Sequence, residues 1–190
     1  MVVWKLFILL IFIFATGVAA LRFQNSPSKS LETPISSAAS PIIQNSEVRS
    51  LEGDKKLQMS AKENLDGTIK YSFSIPDSSG KNLVLFVKTV GKGASMALPQ
   101  NSWSPNSKYV FIEDRNVGFI DYLVFKTNGE PFLNGEKYLN VTTLFNAKVK
   151  DYNLKVITGW DDPLLLRVLT VKGPPFWFEI PSQSFIQLAR

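Results

Sequence analysis

The 190-residue chain contains no cysteine and no histidine. The first absence excludes disulfides and thiolate metal sites; the second removes the commonest general base and the commonest metal ligand. Most familiar catalytic constellations are therefore out of reach. Ser102 and Ser104 have no histidine to activate them, and a Ser-Lys dyad with Lys108 would be the only recourse. Paired carboxylates are scarce as well: only Glu113-Asp114 and Asp161-Asp162 are adjacent. Neighbours on a strand point to opposite faces, which does not suit two-carboxylate glycoside chemistry. On a turn Asp161 and Asp162 could converge on a hard cation, but the turn-forming role is the one expected. No catalytic residue, metal ligand or cofactor is expected. Charge clustering is also missing, because the 21 basic and 16 acidic residues, net +5, include lysines spaced along the chain. They read as a solvated surface, with no nucleic-acid partner implied.

What is present begins with Leu6 to Leu21, an uncharged apolar run of 16 residues behind Lys5. A membrane span needs roughly 20 residues, which Val2, Val3 and Trp4 help to supply. The reading is a hydrophobic helix over residues 1–21 that directs export. It is either retained through residues 2–21 as a single-pass anchor, with the remainder outside the cytoplasm, or cleaved near Ala20 to release the protein. From Gln24 to Ser50 there are eight serines, three prolines and no aromatic residue. Such a stretch lacks the apolar area to offset ordering entropy, so residues 22–54 are expected to be a disordered linker. The folded domain is expected over 55–190.

Ser50 to Asp66 is polar, and its SAKEN stretch suggests a short turn of helix. Strict alternation starts at Ile69, Tyr71, Phe73 and Ile75, which predicts a strand with one buried face. Further strands are expected at 82–89, 94–98, 138–145, 154–158, 164–170, 176–180 and 184–188, punctuated by glycine, proline and Asn-Gly turns.

The segment from Trp103 to Phe132 has the clearest internal logic. Ser104-Pro105-Asn106-Ser107 has tight-turn chemistry, Tyr109 to Ile112 and Ile120 to Phe125 read as the two strands of a hairpin with Glu113 to Asn116 as its polar turn, and Asn128-Gly129 closes the second strand. Trp-Ser-Pro-Asn-Ser-Lys-Tyr-Val-Phe resembles the tryptophan-turn-strand core of the WD-like β-propeller repeats of TolB-type proteins. Asp121 to Gly129 is similar to the strand and turn that follow it, although Asn106-Ser107 stands where that family usually has Asp-Gly. A weaker echo runs from Trp160 to Leu188, a spacing of 57 residues against the roughly 40–50 of a propeller blade.

The expected architecture is all-β, about eleven strands in antiparallel meander units. It is either a partial, open propeller, since about three units are too few for a ring of ~4–8 blades, or a two-sheet sandwich. Trp103 and Trp160 should fill the space between successive sheets. Phe176-Trp177-Phe178 must put at least one ring on the opposite face, so the candidate binding surface is Trp177, Phe176, Asp161 and Asp162. Asn140-Val141-Thr142 matches the glycosylation sequon. The resemblance implies an exported, membrane-tethered, non-enzymatic binding or scaffold module of the cell envelope, whose partner is an envelope protein, peptide or glycan. The alternatives are the regulatory remnant of an envelope hydrolase of the peptidase type and a structural spacer.

Overall fold

The structure, a computed structural model, describes residues 43–77 and 79–189. The run Leu6–Leu21 and most of the Ser/Pro-rich stretch lie outside the described residues. Among the described residues no helix is long and apolar enough to cross a membrane.

The described residues form twelve strands and one helix. The first sheet runs β1 (Ile43–Arg49), β2 (Lys56–Glu63), β3 (Ile69–Pro76) and β4 (Asn82–Val90). The middle sheet holds β5 (Ser95–Ala97), β6 (Tyr109–Asn116), β7 (Phe119–Lys126) and β8 (Leu139–Asn140), followed by α1 (Val141–Lys148). The third holds β9 (Leu154–Asp162), β10 (Leu165–Thr170), β11 (Phe176–Glu179) and β12 (Ser184–Gln187). Each sheet has four strands in chain order, every pairing is antiparallel, and none closes on itself. The all-β expectation is met by three meanders.

Two apolar cores join the sheets. One gathers Leu57, Tyr71, Phe73 and Ile75 of the first sheet with Trp103, Val110, Ile112, Leu123 and Phe125 of the middle one. The other gathers Phe111, Tyr122 and Val124 of the middle sheet with Phe145 of α1 and Ile157, Leu166, Val168, Phe176 and Phe178 of the third. The middle sheet is therefore buried on both faces, which is why β6 and β7 read as continuous apolar runs while β3 and β10 alternate. Burial also pushes the Tyr122 hydroxyl above its ordinary value.

Four expectations need correction. The domain begins earlier than residue 55, because Ile43–Arg49 pairs along its length with β2. Its composition resembles a linker because, among residues 44–49, only Val48 sends an apolar side chain into the core; the backbone ladder, which composition does not report, holds the rest. Residues 56–63 form a strand rather than a helical turn, since Leu57 and Ala61 are buried on the face that meets Tyr71 and Phe73. The β6–β7 turn is the pair Val117-Gly118, with Gly118 at φ +87°, and Glu113 to Asn116 continue the strand. Both carboxylates are buried there and matched: Glu113 accepts from Arg115 Nε at 2.7 Å, and Asp114 pairs with Lys88 across the first core.

Finally, residues 138–145 give only the two-residue β8 before the chain turns into α1. Asn140 is the N-cap, its side-chain oxygen accepting from Thr143 N at 3.0 Å, and Val141 and Phe145 are the buried i, i+4 pair. Thr142 Oγ1 donates to Ile120 O at 3.0 Å and accepts from Tyr122 N at 3.2 Å, tying α1 to β7. The sequon side chains thus serve a helix cap and a sheet edge.

Candidate functional site: the outward face of the third sheet

Position along β10 and β11 decides which side chains reach solvent. Leu166, Val168 and Thr170 are buried, while Leu165, Arg167 and Leu169 between them are half-exposed. On β11 the same alternation buries Phe176 and Phe178 and turns Trp177 and Glu179 outward. Arg167 lies opposite Trp177, and Trp177 opposite Ile186 of β12, so the three form one row across the sheet. Ile186 is 46% exposed. The outward face is thus an apolar strip of Leu165, Leu169, Trp177 and Ile186 with a charged pair at one side.

That pair is organised by Asp161. Its Oδ2 accepts from Trp177 Nε1 at 2.6 Å and from Arg167 Nε at 2.6 Å. A single carboxylate oxygen therefore fixes the indole and the guanidinium side by side, bridging β9, β10 and β11. Asp161 Oδ1 has no partner among the described residues, and Arg167 keeps its terminal N–H groups.

The four residues expected at a binding surface part company here. Trp177 and Asp161 are together on the outward face. Phe176 points the other way, packing edge-on against Phe145 with ring centroids 5.5 Å apart. Asp162 accepts from Leu164 N at 3.2 Å and holds the β9–β10 turn. Arg167 was not anticipated: reading it as a partner of Asp161 requires the β9–β10 pairing, which sequence spacing alone does not supply. Among the described residues no group of acidic side chains is arranged to hold a metal ion.

The tryptophans that precede the turns lie deeper, between successive units of the chain. Trp103 is 5% exposed and donates from Nε1 to Val48 O of β1 at 2.9 Å. Trp160 is half-buried, stacks on Tyr109 at 6.1 Å and donates to Ser102 O at 2.9 Å. Each indole thus bonds a backbone carbonyl of the preceding sheet. Gly159 sits beside Trp160 at φ +127°, with Asn101 donating to Thr158 O next to it. The backbone at φ +127° favours glycine, and a Cβ there would also meet the Asn101 side chain, with Nδ2 at 2.8 Å.

Comparison with protein-family models matched none of them, and comparison with the curated proteins returned no match.

Proposed function

We propose that this protein is a non-enzymatic binding or scaffold module of the cell envelope, that its three sheets are propeller-like blades, and that the outward face of the third takes a peptide or a glycan. The observation that carries the proposal is the row Arg167, Trp177, Ile186 with Asp161 beside it. An indole held by its N–H to a carboxylate offers a pre-ordered apolar plate, and immobilising it on ligand binding costs little further entropy. Asp161 Oδ1 and the Arg167 N–H groups supply an acceptor and donors at the rim of that plate, suited to sugar hydroxyls or peptide groups.

The blade reading rests on three sequential four-stranded meanders joined face to face and on the TolB-type likeness of Trp103 to Gly129. The envelope location rests on the Leu6–Leu21 run, either as an anchor or as a cleaved export signal. The test is a screen of the full-length chain against glycan and peptide arrays, repeated with Trp177→Ala and Arg167→Ala. Loss of about tenfold in affinity with an unchanged melting temperature is expected, the size of one hydrogen bond to a charged group. A ligand that binds both variants as tightly as the parent chain overturns the assignment of this face.

A further inference from the structure

A second candidate lies at the open end of the β6–β7 hairpin, beside the β1–β2 turn and the turn before β6. A cavity of about 400 Å³ is lined there by Lys55, Lys108, Tyr109, Lys126, Thr127 and Asn128. Three lysines from separate parts of the chain line it, and none of its lining residues is acidic. Asp54 and Asp77 line the neighbouring cavity, which shares Lys55 and Thr127 with this one; Asp54 is engaged by Ser50 Oγ at 2.7 Å and Asp77 by Ser79 Oγ at 2.6 Å.

The polar groups around the cavity are already sorted by sign. Of the acceptors, Asn128 Oδ1 accepts from Glu130 N at 3.1 Å and Lys108 O from Thr127 N at 2.9 Å, while Thr127 Oγ1 spends its single hydrogen on Ser107 O at 2.8 Å and so is not a donor to the cavity. The donors are in surplus. Lys55 Nζ gives one bond, to Ser107 O at 3.4 Å; Lys126 Nζ gives one, to Pro131 O at 2.7 Å; an ammonium has three to give. Lys108 Nζ and Asn128 Nδ2 have no partner among the described residues. Lys126 is also steadied over the Phe132 ring, 5.3 Å from its centroid, and Phe132 stacks with Tyr109. These contacts place two of the three cations before any ligand arrives.

We propose that this cavity binds a tetrahedral oxyanion, the phosphate or sulfate group of a small ester. Such a group presents only acceptors and negative charge, which is what the unspent donors and the concave positive field select. The site is independent of the third sheet's outward face, and neither assignment depends on the other.

Isothermal titration calorimetry of the full-length chain at low ionic strength, with inorganic phosphate and inorganic sulfate as separate probes, tests it. Binding with a dissociation constant of roughly 1 mM or tighter is expected, weakening as salt is raised. Stronger binding of phosphate assigns a phosphate ester and stronger binding of sulfate a sulfate ester. Lys108→Glu, at an exposed position where the fold is not at stake, should lower affinity at least tenfold, and Lys172→Glu, an equal change of net charge on the third sheet, less than twofold. No heat of binding with either probe, or equal losses from the two variants, overturns the proposal.

Discussion

The first and third sheets follow the same four-stranded plan, yet they turn different surfaces to solvent. The outward side of the first sheet carries Lys56, Gln58, Ser60, Lys62, Lys70, Ser72 and Ser74, with Val84 and Val87 on the edge strand as its apolar members. The corresponding side of the third carries Leu165, Leu169, Trp177 and Ile186 around the Asp161–Arg167 pair. Among the described residues neither side is covered by another sheet, so backbone architecture does not distinguish them. Side-chain choice does: a serine- and lysine-rich face is satisfied by water, whereas the third sheet turns outward a half-exposed tryptophan beside aliphatic neighbours, the feature on which the proposed binding face rests.

The tryptophans sharpen this contrast most. Trp103→Ala should destabilise the chain by about 3–5 kcal/mol, because it empties a site between two packed sheets and leaves Val48 O without its partner. Trp160→Ala should cost about 1–2 kcal/mol, since that ring is only half-buried, and Trp177→Ala under about 1 kcal/mol. Urea unfolding of the full-length variants measures all three. A Trp177 variant as unstable as the Trp103 one would make the outward ring a packing element and erase the difference between the end faces.

The junction beneath the third sheet comes next. Gly159→Ala should lose about 1–3 kcal/mol, since alanine is strained at φ +127° and its methyl group would displace Asn101. An alanine at Gly118, where a Cβ meets nothing, carries only the positive-φ penalty and should cost less. Equal losses at the two positions, read from melting curves, would refute the close approach.

Exchanging polarity tests the faces themselves. Leu169→Lys and Ser72→Lys both add a charge to an outward position, and each should change stability by under about 0.5 kcal/mol. Only Leu169→Lys should weaken a ligand held on the Trp177 strip. If Ser72→Lys weakens it as much, the first sheet's face shares the binding.

The smallest effect separates the sheets by acid. Glu47, Asp54, Asp66 and Asp77, all in the first sheet and its turns, have carboxyls held below their ordinary values. Gln58 does this for Glu47, and the hydroxyls of Ser50, Thr68 and Ser79 do it for the three aspartates. A depressed folded-state pKa contributes stability that is present above the unfolded value of about 4 and is lost as pH falls through the lower folded values. Amide protection, the exchange rate relative to the intrinsic rate at the same pH, should therefore fall in β1 to β4 before β9 to β12 as pH is taken below about 4. A simultaneous fall would mean that these carboxylates contribute nothing separable.

Much of the fold was legible. Alternation at Ile69 to Ile75 and at Leu165 to Thr170 reported strands with one wet face, and Asn128-Gly129 and Asn134-Gly135 reported turns in which both glycines have positive φ. Those signals are local, written in the chemistry of a few consecutive residues. Where several contacts competed, local signals failed: residues 141–148 have β-branched content but form a helix because Asn140 caps it and Phe145 finds a core. Glu113 and Asp114 looked like turn residues by their polarity; Arg115, two residues along the same strand, matches Glu113, but Lys88, which matches Asp114, arrives only once the first and middle sheets are stacked.

The sequence by itself determined the β class, most strand positions and, through its lack of histidine and cysteine, a narrow range of chemistry. It also determined that one ring of Phe176-Trp177-Phe178 must face away from the others, because side chains alternate along a strand. Tertiary structure alone decided which ring that was, since alternation gives two faces but not what covers each. It decided equally that Asp161 would meet Arg167 and Trp177, and that Lys55, Lys108 and Lys126, far apart in the chain, would line one cavity. Such convergence depends on register and on the stacking of sheets, both set by long-range burial rather than by neighbours in sequence.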